Sequence, residues 1–142
     1  MRVIDVLRRK GDLVVTIRPD ESVGALLDTL AEHRVGALVV ASADGDVDGI
    51  VSERDVVRHL QARGAAVLGQ PVSAIMTSPV HTARPETTHD ELMVLMTEQR
   101  IRHVPVVVDD RLRGIISIGD VVKHRIEELQ SERDQLTAYI TG

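Results

Sequence analysis

Two stretches of this chain pair a hydroxyl with a carboxylate three residues on: Ser52-Glu-Arg-Asp55 and Ser117-Ile-Gly-Asp120. Each follows Gly-Ile-Val or Gly-Ile-Ile, and each runs on into Val-Val, a basic residue and His. A hydroxyl just before a helix can accept from the free N–H groups of its first turn. A carboxylate three residues later lies on that turn, where it can accept two hydrogen bonds from a vicinal diol such as the 2′,3′-hydroxyls of a ribose. The helix N-terminus, with unpaired N–H groups and the positive end of its dipole, suits a phosphate. Ribose and phosphate together describe a nucleotide. The same spacing is also an ordinary capping arrangement, with a value of about 1 kcal/mol. A single copy reads most simply as a cap; two copies in register favour a ligand site.

The elements that must position these residues are themselves duplicated. Residues 16–40 align with 82–106 through Thr, Arg-Pro, a Leu, a Glu, an Arg and a final Val. Of the eleven positions in 49–59 and 114–124, seven are identical. Val3–Arg9 has a shorter counterpart in Val72–Met76. Each half predicts a short strand (Val14–Ile17, Val80–Ala83) leading to an Arg-Pro turn. A helix follows, with Val23, Leu26, Leu27 and Leu30 on one face, or Leu92, Met93 and Met96. Thr88-x-x-Glu91 has the form of a capping box at the second of these helices. A buried strand comes next (Ala37–Ala41, Val104–Val108), then a turn at Asp44-Gly45 or Asp109-Asp110, then a second strand and a second helix. The expected fold is α/β (α+β): two β-α-β-β-α repeats, 1–61 and 72–126, packed with pseudo-two-fold symmetry. Residues 62–71 read as a linker and 127–142 as a C-terminal helical tail. Either half alone buries little surface, so the halves are expected to pack sheet to sheet around one shared core, leaving two equivalent clefts.

Composition narrows the chemistry. The net charge of −5 argues against non-specific nucleic-acid binding. Tyr139 is the one aromatic residue, which removes the rings on which single-stranded bases stack. There is no cysteine, so thiolate catalysis, disulfides and zinc–thiolate sites are excluded. None of the six histidines sits in a metal-binding His-Glu-x-x-His pattern. His59 and His124 repeat with the fold, which favours a shared structural role. No Ser-His-Asp set and no glycine-rich phosphate loop is present, so no enzymatic activity is expected. The start carries no apolar stretch of signal-peptide length and no run could span a bilayer. The expectation is a cytoplasmic protein with no membrane contact.

The paired repeats, the Arg-Pro-Asp/Glu lead into a helix, the Ile101–Val107 strand and the Gly-x-x-Ser-x-x-Asp ending resemble a tandem pair of CBS domains, a Bateman module. The resemblance runs from about Val3 to about Arg125. It extends to small stand-alone CBS-pair proteins whose second half ends in Gly-Ile-Ile-Ser-Ile-Gly-Asp-Val-Val-Lys, with a tail helix ending as Tyr139–Gly142 does. Such a resemblance implies a regulatory module for adenosine derivatives: AMP, ADP, ATP, NAD(H) or S-adenosylmethionine. No cofactor or metal is implied. Asp55 and Asp120 would hold ribose hydroxyls, with Ser52 and Ser117 beside the ribose or phosphate. Thr77 and Val80 resemble the stretch that lines an adenine pocket. The family often places basic residues before the central strand; here they are Arg102 and His103 in the second half, against Gly36 and Ala37 in the first. Arg54 is matched by Gly119. The clefts are therefore unequal, and the Asp55 cleft, with Arg54 and with Arg102 and His103 reaching across, is expected to hold a phosphate-bearing ligand more tightly. The alternative for Arg102 and His103 is a solvated strand edge.

Val122, Ile126, Leu129, Leu136 and Ile140 form a coiled-coil-like seam on the last helix, interrupted by Arg133. That seam, and the family resemblance, favour a homodimer. Without an attached effector domain, any regulated protein would be a separate chain. The competing reading is a dimeric interaction or scaffold protein whose clefts are structural only.

Overall fold

The computed structural model describes residues 1–11 and 14–141; Gly142, the last residue of the tail motif, lies outside them. In chain order the elements are α1 (Val3–Lys10), β1 (Thr16–Ile17), α2 (Val23–His33), β2 (Ala37–Ala41), β3 (Val47–Ser52), α3 (Glu53–Arg63), α4 (His89–Gln99), β4 (His103–Val108), β5 (Arg111–Ser117) and α5 (Ile118–Thr141). Short 3-10 turns at Gly64–Gly69 and Val72–Ala74 join the halves. One sheet has the order β1-β2-β3, with β1 parallel and β3 antiparallel to β2; the other is the antiparallel pair β4-β5.

The duplication is visible bond by bond. Ser22 and Thr88 cap α2 and α4, accepting from Ala25 N and Glu91 N. Both helices end on a left-handed arginine, Arg34 and Arg100, each at φ 54° and ψ 44°. Glu53 N donates to Gly36 O at 3.0 Å, and Ile118 N donates to Arg102 O at 2.8 Å. The β4–β5 hairpin turns on Asp109 and Asp110, both with positive φ, the geometry that matches the right-handed twist of its strands.

The apolar residues form two cores rather than the one shared core expected. Val72 and Ile75, which open the second repeat, complete the first core with Leu26, Leu30, Leu38, Val40 and Val51. Val3, Val6 and Leu7, which open the first repeat, complete the second core with Leu92, Met96, Val104, Val106 and Ile116. Each half thus borrows the segment that leads into the other. Bridges at Ser22–Pro71 and Arg2–Thr88 fasten the two borrowed segments in equivalent ways.

This exchange explains the glycines of the repeated phrase, Gly49 inside β3 and Gly114 inside β5. A Cβ on Gly114 would lie 2.5 Å from Leu7 Cδ2, and one on Gly49 would lie 2.7 Å from Met76 Sδ and 2.8 Å from Thr77 O. At both positions the borrowed segment lies against bare backbone, with a flexible side chain nearest at Gly114 and a backbone carbonyl also close at Gly49. The exchange also accounts for the strand expected over Val80–Ala83, which is reduced to one parallel bridge between Ala83 and Val106. Six residues earlier the chain is still bonded to the other half, through Ile50 N to Thr77 O (3.0 Å) and Thr77 N to Ile50 O (2.8 Å). A segment crossing between sheets in that distance cannot run alongside β4. Similarly, the stretch read as a linker, 62–71, is wound into the end of α3 and a 3-10 turn, and its Val67 is wholly buried.

Candidate functional site

The two helix starts are built alike. Ser52 N and Ser52 Oγ donate to Asp55 Oδ2 at 2.8 and 3.1 Å, and the Ser52 hydroxyl in turn caps α3 at Asp55 N. Ser117 N donates to Asp120 Oδ2 at 2.9 Å, and Asp120 N donates to Ser117 Oγ at 3.1 Å. Both aspartates are therefore caps, as the bland reading of the motif required. Capping uses one carboxylate oxygen, Oδ2, in each.

The second oxygens differ. Asp55 Oδ1 accepts from Arg58, one turn along the same helix, at 2.9 Å. Asp55 is almost fully buried, whereas the Arg58 side chain is 73% exposed and can swing away. No hydrogen bond among the described residues reaches Asp120 Oδ1; the ammonium of Lys10 instead joins Ser117 at Oδ2, at 2.6 Å. Lys10 also donates to Ile115 O at 2.9 Å, so it bridges the end of β5 to the start of α5. Burial pushes the Asp120 carboxyl upward, but hydrogen bonds from Lys10 and Ser117 and the charge of Lys10 outweigh it and hold the group below its ordinary value.

Of the other candidates, Thr77 stands beside β3 in the Asp55 half, its backbone paired with Ile50. Val80 is half-buried in the same crossing segment. His103 is paired in register with Ser117, which puts it in the Asp120 half. Its imidazole also approaches the first half: a Cβ on Gly36 would lie 3.7 Å from His103 Cε1 and 3.7 Å from Glu53 Oε1. Burial and the charge of Lys10 push the His103 pKa down, against the opposing pull of Asp120 and Glu53. His103 is thus a half-buried ring that pairs with the second half and approaches the first. Arg54 and Arg102 are both exposed. The structure groups Ser52, Asp55 and Thr77 in one half and Ser117, Asp120 and His103 in the other.

Sequence reasoning assigned no role to Lys10, Arg9, Arg58, Lys123 or Glu53. Arg58 and Lys123 were in plain view, since the basic residue three after each aspartate belongs to the repeated phrase. Lys10 carried no such signal, being 110 residues from its partner. The repeated histidines also differ in detail. His59 Nδ1 donates to the Asp55 carbonyl at 2.7 Å, tying down the first turn of α3, while His124 Nδ1 lies 3.1 Å from Glu128 Oε1 without forming a well-aligned hydrogen bond.

Residues 5–62 and 72–127 each match the CBS domain family. The chain belongs to the CBS domain family. A CBS-domain protein of Agrobacterium tumefaciens, ATU1752, is 52% identical in its crystal structure, superimposing with a TM-score of 0.86 over 88% of this chain and 99% of that one. The mitochondrial CBS domain-containing protein CBSX3 of Arabidopsis thaliana is 36% identical, with 99% of this chain aligned to 72% of it. The CBS domain pair of protein MJ0100, solved in complex with 5′-methylthioadenosine and S-adenosyl-L-methionine, is 25% identical with a TM-score of 0.77 over 87% of this chain and 98% of that one. The two matches account for the internal repeat. Within this CBS pair no helix of the described residues is long and apolar enough to cross a membrane.

Proposed function

We propose that this CBS pair is a regulatory module that binds an adenosine nucleotide of the AMP, ADP, ATP, NAD(H) or S-adenosylmethionine class and acts on a separate partner protein. The observation that carries this reading is the second carboxylate oxygen of each aspartate. Capping occupies Oδ2; among the described residues Asp120 Oδ1 accepts no hydrogen bond, and Asp55 Oδ1 accepts one from a solvent-exposed arginine. A cap alone needs neither feature. The adenosine ligands of the MJ0100 pair give the reading its ligand class. In each cleft a ribose would meet the aspartate at the helix start, and the crossing segment (Thr77 to Val80 for Asp55) would offer aliphatic side chains and backbone groups to the purine.

Regulation would follow from the exchanged cores. A ligand bound between a crossing segment and a helix start touches both halves, so it favours whichever relative placement it binds better, by no more than the difference in its affinities. The proposed assembly is a homodimer. Leu27, Val57 and Leu60 on α2 and α3, and Val94, Val122 and Ile126 on α4 and α5, are exposed apolar side chains on helices that cover the sheets from outside. Val57 and Val122 are equivalent positions in the two repeats.

A thermal-shift panel of AMP, ADP, ATP, NAD+, NADH, S-adenosylmethionine and 5′-methylthioadenosine, with GMP as control, tests the reading. A ligand at a hundred times its dissociation constant adds about 2.7 kcal/mol, which corresponds to roughly 5–10 °C for a chain of this length. A flat panel would favour the second reading, a dimeric interaction protein. That reading draws support from the outer end of α5, where Leu136, Tyr139 and Ile140 are 62%, 88% and 79% exposed.

A further inference from the structure

We infer that Lys10 sets the charge preference of the Asp120 cleft, making it the cleft for phosphate-bearing nucleotides, with neutral nucleosides bound more weakly. The inference rests on the nucleotide-binding reading above and reverses the expectation that the Asp55 cleft takes the more anionic ligand.

The asymmetry comes from the borrowed segments. The one that reaches the Asp55 half, residues 70–80, contains no charged residue. The one that reaches the Asp120 half ends in Arg8-Arg9-Lys10. Lys10 is fixed in place by two acceptors, Asp120 Oδ2 and the carbonyl of Ile115. Because it shares Oδ2 with Ser117, it leaves Oδ1 for a ribose hydroxyl, so ribose and ammonium need not compete. A ribose held there would carry its 5′ substituent within reach of a fixed positive charge.

That charge is not isolated. Arg9, Lys10, Lys123 and His124 line a cavity of about 150 Å3 between α1 and α5, with Val6, Asp120 and Glu127 completing the wall. The volume is below the roughly 300 Å3 at which sites for whole small molecules begin, and it suits a phosphate group with its water. Arg9 is paired with Glu127 and Lys10 with Asp120, and among the described residues no ion pair reaches Lys123. In the Asp55 half the residue equivalent to Lys123 is Arg58, an exposed side chain paired with Asp55 Oδ1. The two equivalent carboxylates thus differ in that Asp120 has a borrowed ammonium hydrogen-bonded at its capping oxygen and to the adjacent strand. An ammonium held by hydrogen bonds acts on phosphate as a point charge in a defined place.

The test is calorimetric titration of the full chain with AMP and with adenosine, which share the nucleoside and differ in the phosphate. Wild type, Lys10→Met and Lys10→Arg are compared, each checked for folding by circular dichroism. The wild type is expected to bind AMP about tenfold or more tighter than adenosine at one site, the scale of one charge-assisted hydrogen bond. Lys10→Met should reduce that ratio to about threefold or less, AMP losing more affinity than adenosine, and Lys10→Arg should keep it. An unchanged AMP-to-adenosine ratio in Lys10→Met overturns the inference and leaves the nucleotide reading standing. A parallel loss for both ligands also overturns it, because Lys10 would then merely hold the cleft together. Failure of the wild type to bind either compound removes the nucleotide reading and this inference with it.

Discussion

Replacing Gly49 and Gly114 by alanine separates the two exchanged segments by what each new methyl group would strike. At Gly114 the nearest atom is a side-chain terminus, Leu7 Cδ2 at 2.5 Å; the next atoms, also of Leu7, are at 3.6 Å. A rotation of Leu7 relieves that contact. At Gly49 the methyl meets Met76 Sδ at 2.7 Å and also the Thr77 carbonyl at 2.8 Å, and that carbonyl accepts the hydrogen bond from Ile50 N. Met76 can move; the carbonyl cannot move without breaking the bridge between β3 and the crossing segment. Overpacking a core position costs about 1–3 kcal/mol, and alanine recovers roughly 0.5–1 kcal/mol of the entropy that glycine loses in a strand. Gly114→Ala should therefore cost about 1 kcal/mol or less, and Gly49→Ala about 2–3 kcal/mol including the strained hydrogen bond. With a urea m-value of about 2 kcal/mol/M, the midpoints should fall by up to about 0.5 M and by about 1–1.5 M respectively. Urea titration by circular dichroism reads both. A Gly114→Ala loss equal to or larger than that of Gly49→Ala would refute the argument that the backbone contact, not the side-chain contact, makes the glycine necessary.

Three further outcomes follow from the charged groups and the exposed helix faces. Asp120 titrates below its ordinary value of 3.8, so its interactions contribute stability at pH values above 3.8 that is lost as the pH falls through its lowered pKa. Lys10→Met should be less stable than wild type by about 1 kcal/mol near neutral pH, and thermal melts should show that gap closing below pH 3.8; a gap independent of pH would contradict the pairing. His103, faced by Lys10, Arg102, Asp120 and Glu53, titrates below 6.5. The unfolded chain then binds the proton more readily than the native one, so stability should decline as the pH drops below 6.5. His103→Gln should flatten that decline in the same melts, and an unaltered slope would place its origin elsewhere. Val122→Glu with Ile126→Glu should convert the proposed dimer to monomer in sedimentation velocity without lowering helix content; an unchanged sedimentation coefficient would move the interface off α5.

Local signals were readable and long-range ones were not. The strand Ala37–Ala41 was placed correctly because a short apolar run bounded by turn residues has no other comfortable fate. The capping box of Thr88 and Glu91 was legible because both partners lie within four residues. The repeated phrase gave the positions of β3, β5 and the two helix starts. Gly49 and Gly114 were legible as repeated glycines, but not what lies against them, since the spacing of Val3, Val6 and Leu7 says that a face is apolar and not which half covers it. The same gap hid the two separate cores. Lys10 escaped notice because an ion pair between residues 10 and 120 leaves no trace in either neighbourhood. The basic residues beside the central strand were legible as a pair but not in their placement: the register sets His103 opposite Ser117, while its ring also approaches Gly36 and Glu53 of the first half.

The claim that most needs testing is that Asp55 and Asp120 hold a ribose in addition to capping their helices. Calorimetric titration of AMP into wild type and into the Asp55→Ala/Asp120→Ala double variant, at a temperature where circular dichroism finds both folded, tests it directly. The account predicts saturable binding by the wild type and none by the double variant, which should lose about 2 kcal/mol of stability through its missing caps yet keep its fold. Binding of AMP by the double variant with the wild-type affinity would contradict it and leave the two aspartates as caps alone.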